Sequence, residues 1–340
     1  MKSTREALRM CAGPTVAVAR MPDYYFLPRR IVHAVPALQG FARGFEGALI
    51  RAYFALLGRL SLARACQLAY HLFATLGRVI SRRHKMIANL AVAFPEKSPA
   101  ELRRLARGCF GHLGMAFAEL CHLRDIWEER AERLEFVADP SVKVVRGGGR
   151  PAVFVTAHVG SWQLGNFIAA EYDIPITIIY APESNSAVDD VVRKLRASLP
   201  IKILPRDNVM RQLMRELAAG HSIGLAGDTR LDEGDDVPFF GVATPTNTVP
   251  ARLALRFDCE LIAVSTERLP GNRFRVTVHA PVEPDDTSAS IVDQALQMTA
   301  KLNVQFESWV RQTPDQWACF KRRWPRDVER AALRSRGMTP

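Results

Sequence analysis

The chain has 340 residues, 48% of them apolar and 24% charged, and a formal net charge of +11. This composition supplies a sizeable core and excludes an intrinsically disordered chain. The basic excess lies at one end: residues 1–110 hold 18 Lys and Arg against 5 Asp and Glu, whereas residues 111–340 hold 28 against 30.

In chain order, residues 1–40 carry Pro and Arg with little pattern and read as a loosely ordered leader. Its start, Met1-Lys-Ser-Thr-Arg-Glu, lacks the apolar core of a signal peptide. Gly40 to Ser81 predicts apolar, basic helices: Leu49, Phe54, Leu57, Leu68, Leu72 and Leu76 are interrupted by Arg43, Arg51, Arg59, Arg64 and Arg78. No uncharged run is long enough to span a bilayer, so this region is expected to lie in the interface of an anionic membrane. The alternative is a helix that covers a domain with its Arg residues solvated. Zinc-finger spacing, RNP aromatics and a basic zipper are all missing, which sets nucleic acid aside. The cysteines (Cys11, Cys66, Cys109, Cys121, Cys259 and Cys319) are scattered, which predicts reduced thiols and no zinc site.

Ser98-Pro-Ala-Glu101 reads as a capping box opening a helix towards Leu123. Arg146-Gly-Gly-Gly-Arg150 reads as a turn into the first strand. Strands are then predicted over 152–157, 176–180, 201–204, 222–226, 261–265 and 274–279. Helices are predicted over 163–171, 187–198, 209–219, 249–257 and 291–312. The alternation predicts an α/β fold, a mostly parallel central sheet flanked by helices. After Trp324 the chain reads as a solvated helix or frayed end. Three regions are expected: 1–81 as a basic, membrane-associating leader with helices, 82–326 as the α/β domain, and 327–340 as a basic tail.

The first of these strands ends at Ala157 and delivers His158, followed by Val159-Gly-Ser-Trp-Gln163, to its carboxyl end. Open α/β sheets build their sites there. A strand-end His that merely bonds to a loop is the plain alternative. Five segments in one order then resemble the bacterial lipid A biosynthesis (lauroyl/myristoyl-type) late acyltransferases. Val155 to Asn166 is similar to their His-x4-Asp/Glu block, and Arg82 to Pro95 to their Arg-rich stretch with Asn-Leu and Phe-Pro. His112-Leu-Gly to Leu120, the Pro238-Phe-Phe-Gly241 block through Leu255, and Pro314-Asp-Gln-Trp317 with Arg322-Arg-Trp324 match the rest. Gln163 departs from the pattern, standing where the family has Asp or Glu.

The resemblance implies a glycerolipid-acyltransferase-like fold and transfer of a fatty acyl group from an acyl carrier protein thioester to a hydroxyl of a lipid A precursor. The setting it implies is the cytoplasmic face of the inner membrane. His158 is then the base, and Gln163 orients it without supplying charge; in a serine-protease triad the same acid-to-amide change costs about 10⁴ in rate. Glu119, Glu171 and Asp228 are candidates for a replacement carboxylate, with Glu119 favoured because it matches a family position. Arg193 is expected to contact a phosphate or the carrier protein, or else to be solvated; Arg196 ranks below it. Trp162 forms a pocket wall or packs in the core. Phe239 and Phe240 line an acyl channel or pack. Thr246, in a Thr-rich helix start, binds an anion or caps. Gly227-Asp228-Thr229 carries a second, milder departure at Thr229. No metal, nucleotide or redox motif appears, so no metal or other cofactor is expected. Two other readings stand beside the enzyme: a weak or inactive relative that binds lipid or carrier protein, and a lysophospholipid acyltransferase.

Overall fold

The computed structural model describes residues 36–80, 82–147, 150–183, 185–205 and 209–339. Most of the expected leader, residues 1–35, lies outside them, as do Ser81 and two glycines of the expected 146–150 turn. The described chain opens with α1 (Pro36–Leu57) and α2 (Leu62–Leu76). One side of the pair is buried, through Leu57, Leu62, Ala65, Cys66 and Ala69. The other side is apolar and exposed: Phe41, Phe45, Leu49 and Leu56 on α1, Leu68, Leu72 and Leu76 on α2. Steps of four and seven put each set on one helix face. Among the described residues no helix is long and apolar enough to cross a membrane.

α3 (Arg83–Ala93) is buried from Met86 onward. α4 (Pro99–Cys121) opens with the predicted capping box: Ser98 Oγ accepts from the Glu101 N–H, and the Glu101 carboxylate accepts from the Ser98 N–H. α2 crosses α4 where Gly114 leaves room; a Cβ there would stand 2.3 Å from the Ala69 carbonyl oxygen.

Two short helices, Leu123–Glu128 and Arg130–Arg133, lead into the sheet region. Its elements are β1 (Leu134–Ala138), β2 (Ala152–Thr156), β3 (Ile176–Tyr180), α5 (Ser186–Arg196), β4 (Lys202–Pro205), α6 (Met210–Ala218), β5 (Ser222–Ala226), β6 (Arg230–Phe239), β7 (Val242–Thr246), α7 (Val249–Phe257), β8 (Glu260–Leu269), β9 (Arg273–Pro281), α8 (Ile291–Gln312) and α9 (Arg326–Arg334). Seven strands form one sheet in the order β1-β9-β8-β2-β5-β3-β4. From β8 to β4 every pair is parallel, whereas β9 runs antiparallel to β8 and carries β1 alongside it. The fold is therefore α/β with a mostly parallel sheet, as the alternation predicts. Helices cover it because β2 is apolar on both faces, with Ala152 to Val155 all buried.

Several elements differ from the expectation, among them β1, a strand that precedes the 146–150 turn expected to open the first one. The predicted helix 163–171 is a 3₁₀ turn over Trp162–Phe167 and one α-turn over Ile168–Glu171. Gly165 lies against Val264 and Thr266 of β8 and weakens a regular helix there. The β6–β7 hairpin goes unpredicted because Arg230-Leu-Asp-Glu-Gly-Asp-Asp236 carries no apolar alternation. Its turn is Phe240-Gly241, both at positive φ, 50° and 73°, as a two-residue hairpin turn with right-handed strand twist requires. Finally, the chain after Trp324 is docked: α9 buries Leu333, and the Arg336 guanidinium donates to the Pro95 carbonyl at 2.6 Å.

Gly114→Ala should destabilise the fold by about 1–3 kcal/mol, since the obstacle is backbone and α2 has to move. Thermal unfolding measures it; a melting temperature equal to wild type would mean that α2 and α4 do not meet this closely.

Candidate active site at the carboxyl ends of β2 and β5

Strand register builds the centre of the site. Thr156 of β2 and Ala226 of β5 are Cα partners in the parallel ladder. Two residues further along each strand stand His158 and Asp228, brought level by that register. The Val159 N–H donates to the Ala157 carbonyl at 2.8 Å, closing a three-residue turn centred on His158. Gly160 follows at φ +64°, where a Cβ would stand 2.2 Å from the Thr266 carbonyl oxygen. Only glycine fits both the backbone angle and that approach.

His158 Nδ1 lies 2.7 Å from Asp228 Oδ1. The imidazole is part exposed, whereas the Asp228 side chain is wholly buried. The other carboxylate oxygen, Oδ2, accepts from Trp317 Nε1 at 3.0 Å. Burial disfavours the imidazolium, yet the Asp228 charge and hydrogen bond outweigh it and hold His158 above the ordinary histidine value. Burial likewise pushes the Asp228 carboxyl up, but the charge and ring N–H of His158, with the Trp317 N–H, outweigh it and hold the carboxyl below the usual range. The two directions agree: this is an ion pair when His158 is protonated and a charge-assisted hydrogen bond when it is neutral. Lys321 and Arg196 add positive charge around the ring.

The other sequence candidates separate. Trp162 packs edge-on to His158, ring centroids 5.4 Å apart, and walls the site. Gln163 is buried and turned elsewhere: its Oε1 accepts from Arg196 Nε at 3.2 Å. It is Arg196, which the sequence ranking put second, that reaches the site's periphery, while Arg193 is exposed and paired with exposed Asp190 at 3.3 Å. The helical period explains the exchange. Val188 and Val192 are the buried face of α5, and 196 is four residues further on that face, whereas 193 turns away.

Glu119 is engaged by Arg268, which donates Nε to Oε1 at 2.6 Å and Nη2 to Oε2 at 3.0 Å. Both side chains are nearly inaccessible. The favoured replacement carboxylate thus serves a buried arginine, and Asp228 is the carboxylate that meets His158. Phe239 and Phe240 sit in the packed core with Trp317 and Trp324. Thr246 is buried and spent, donating to the Thr244 carbonyl and accepting from Arg323 Nη2 at 3.0 Å.

Trp317 and Asn89 complete the arrangement, and sequence reasoning assigned neither a role. The Asn89 amide donates to the carbonyls of Cys319 and Lys321 at 3.0 and 2.7 Å and accepts from the Arg323 N–H at 3.0 Å. It fixes the segment that carries Trp317. The available signal was the recurrence of Asn89 and Trp317 in two of the five matching segments. Only the fold shows that they share one structure.

The pair predicts that His158 titrates above about 6.5, the ordinary value. In Asp228→Asn the attraction is gone while burial and the nearby cations remain, so the midpoint should fall below wild type. NMR titration of the His158 ring tests this; an unchanged midpoint would break the proposed coupling. Glu119→Gln leaves Arg268 buried without its counter-charge and should cost about 3–5 kcal/mol of stability, read by chemical denaturation. A loss under 1 kcal/mol would show that Arg268 finds another partner.

A family model described as bacterial lipid A biosynthesis acyltransferase matches residues 48–326. That span includes His158, Asp228, Glu119, Arg268 and Trp317. Among curated proteins none matches the chain.

Proposed function

Because the chain belongs to the bacterial lipid A biosynthesis acyltransferase family, we propose that it moves a fatty acyl chain from an acyl carrier protein thioester to a hydroxyl of a lipid A precursor. The observation that carries this reading is the 2.7 Å contact between His158 and buried Asp228. With Nδ1–H donated to Asp228, the neutral ring keeps its lone pair on Nε2. Nε2 takes the proton of the acceptor hydroxyl as that oxygen attacks the thioester carbon. Asp228 stabilises the imidazolium that forms. The C–S bond breaks, and the leaving thiolate takes the proton back from Nε2. Arg196 and Lys321 supply positive charge near the reacting atoms, where an oxyanion and sugar phosphates need it.

Gln163 was the ground for reading the chain as an inactive relative. Asp228, just past the end of β5, speaks against it by bringing a carboxylate to the His158 ring. His158→Ala should therefore abolish transfer, and Asp228→Asn should lower it by about 10²–10⁴-fold. Gln163→Glu should keep activity within a few-fold, because residue 163 acts on Arg196 and not on the base. The assay is the rate with acyl carrier protein thioester and a tetra-acylated acceptor. Full activity in His158→Ala would end the mechanism. Transfer to a lysophospholipid in preference to the lipid A precursor would move the substrate to the third reading.

The same reading places the protein on the cytoplasmic face of the inner membrane, attached peripherally. Support comes from the exposed apolar faces of α1 and α2 and the exposed Arg51, Arg59, Arg64 and Arg78 around them. Each large apolar side chain buried in lipid contributes about 1.5–3 kcal/mol, and each basic residue near an anionic surface about 1 kcal/mol. Sedimentation with anionic vesicles should weaken as salt rises and should be lost in a Phe45→Asp, Leu72→Asp double variant. Binding unchanged by either would locate the attachment elsewhere.

A further inference from the structure

We propose that Trp317 is a positioning residue for the base: its indole N–H fixes the buried Asp228 carboxylate and sets how strongly that carboxylate draws the proton of His158. The inference rests on the His158–Asp228 reading above.

Asp228 has no exposed surface. Among the described residues its one ion pair is with the His158 ring; the buried Arg323 guanidinium is coupled to it by charge without an ion-pair contact, and the buried Cys319 thiol feels its charge. A buried carboxylate without a cation in hydrogen-bond contact needs N–H donors to replace its lost hydration. Asp228 has two: the His158 ring on Oδ1 and the Trp317 indole on Oδ2. Indole suits this position because it donates, never accepts and does not ionise in the working range. It holds the carboxylate in one orientation and takes no proton from it.

The rest of the C-terminal segment makes that donor rigid. The Ala318 N–H donates to the His158 carbonyl at 2.7 Å, and the Gly160 N–H to the Gln316 carbonyl at 3.4 Å. Val159 and Trp317 form an antiparallel bridge. Gln316 Oε1 accepts from Arg268 Nη1 at 2.9 Å, which ties the segment to the Glu119–Arg268 pair. The Trp317 ring stacks on Phe240 and meets Phe239 and Trp324 edge-on. The segment is thus stitched to the chain on both sides of His158, and its indole closes on the carboxylate behind the ring.

The sign of the effect follows. A donor on Oδ2 withdraws charge from the carboxylate and weakens its hold on the imidazolium. Without that donor, Oδ1 is the stronger acceptor and His158 becomes harder to deprotonate. In Trp317→Phe the His158 midpoint should rise by about half to one unit, so the rate below that midpoint should fall about three- to tenfold while the high-pH plateau changes less. Trp324→Phe is the control. Trp324 belongs to the same aromatic cluster and is equally buried, but its N–H donates to the Phe239 carbonyl at 3.2 Å. It should leave the midpoint in place.

The test is NMR titration of the His158 ring in wild type, Trp317→Phe and Trp324→Phe, beside the pH–rate profile of each. A second measurement needs no tryptophan variant: the Trp317 indole N–H resonance in wild type should titrate with the His158 midpoint and cease to do so in Asp228→Asn. An indole resonance indifferent to pH overturns the proposal, as does a Trp317→Phe midpoint that stays put or moves as far as in Trp324→Phe. These readouts do not depend on acyl transfer. Activity that ignores His158 would defeat the proposed mechanism while leaving the indole coupling to be judged separately.

Discussion

A carboxylate with no access to water sets the terms for this structure. The charge of the His158 ring and two N–H donors outweigh the burial of Asp228, and the ring and the indole come from different parts of the chain. The ring N–H arrives on β2, held level with β5 by a parallel ladder. The indole arrives from the C-terminal segment, which Asn89 of α3 pins in place. The core is also arranged around it, since Phe239, Phe240 and Trp324 pack the indole that reaches it.

Polar side chains near the site divide the work by partner. Asp228 faces the His158 ring. Glu119 and Arg268 form a buried bidentate pair that braces Gln316, one residue from the indole. Gln163 steadies Arg196 with a neutral oxygen, so the positive charge at that edge has no carboxylate from this loop beside it. The residue five after His158 does not meet its ring in this structure; Asp228 does. The 3₁₀ turn at Trp162–Phe167 aims the Gln163 side chain at α5.

The histidine–carboxylate pair and the exposed apolar surface occupy different elements. His158 and Asp228 stand just past the ends of β2 and β5, which their shared register brings level. The exposed apolar surface lies on α1 and α2, which pack against α4 through their other side. α4 also carries Glu119, so the helices that bear the apolar face rest on the framework that braces the C-terminal segment.

Much of this was written locally in the sequence. The capping box at Ser98, the helices 249–257 and 291–312, and the buried strands at 152, 176 and 222 follow from side-chain periodicity and cap chemistry, which act within a few residues. His158 was legible because an apolar strand ending in an imidazole is a local pattern, and the family was legible because five short segments keep their order. Hairpin β6–β7 was not, because β6 is heavily charged and β7 is short and carries a Pro, and their pairing meets at the packed turn at Phe240. Nor was the partner of His158. The family match favours Glu119, and nothing local puts Asp228 ahead of it. Tertiary structure decided between them by putting β5 beside β2, with β3 and β4 beyond it, and by giving Glu119 to an arginine 149 residues away. Which carboxylate meets a base depends on distances between segments far apart in the chain, and only the assembled sheet sets those distances.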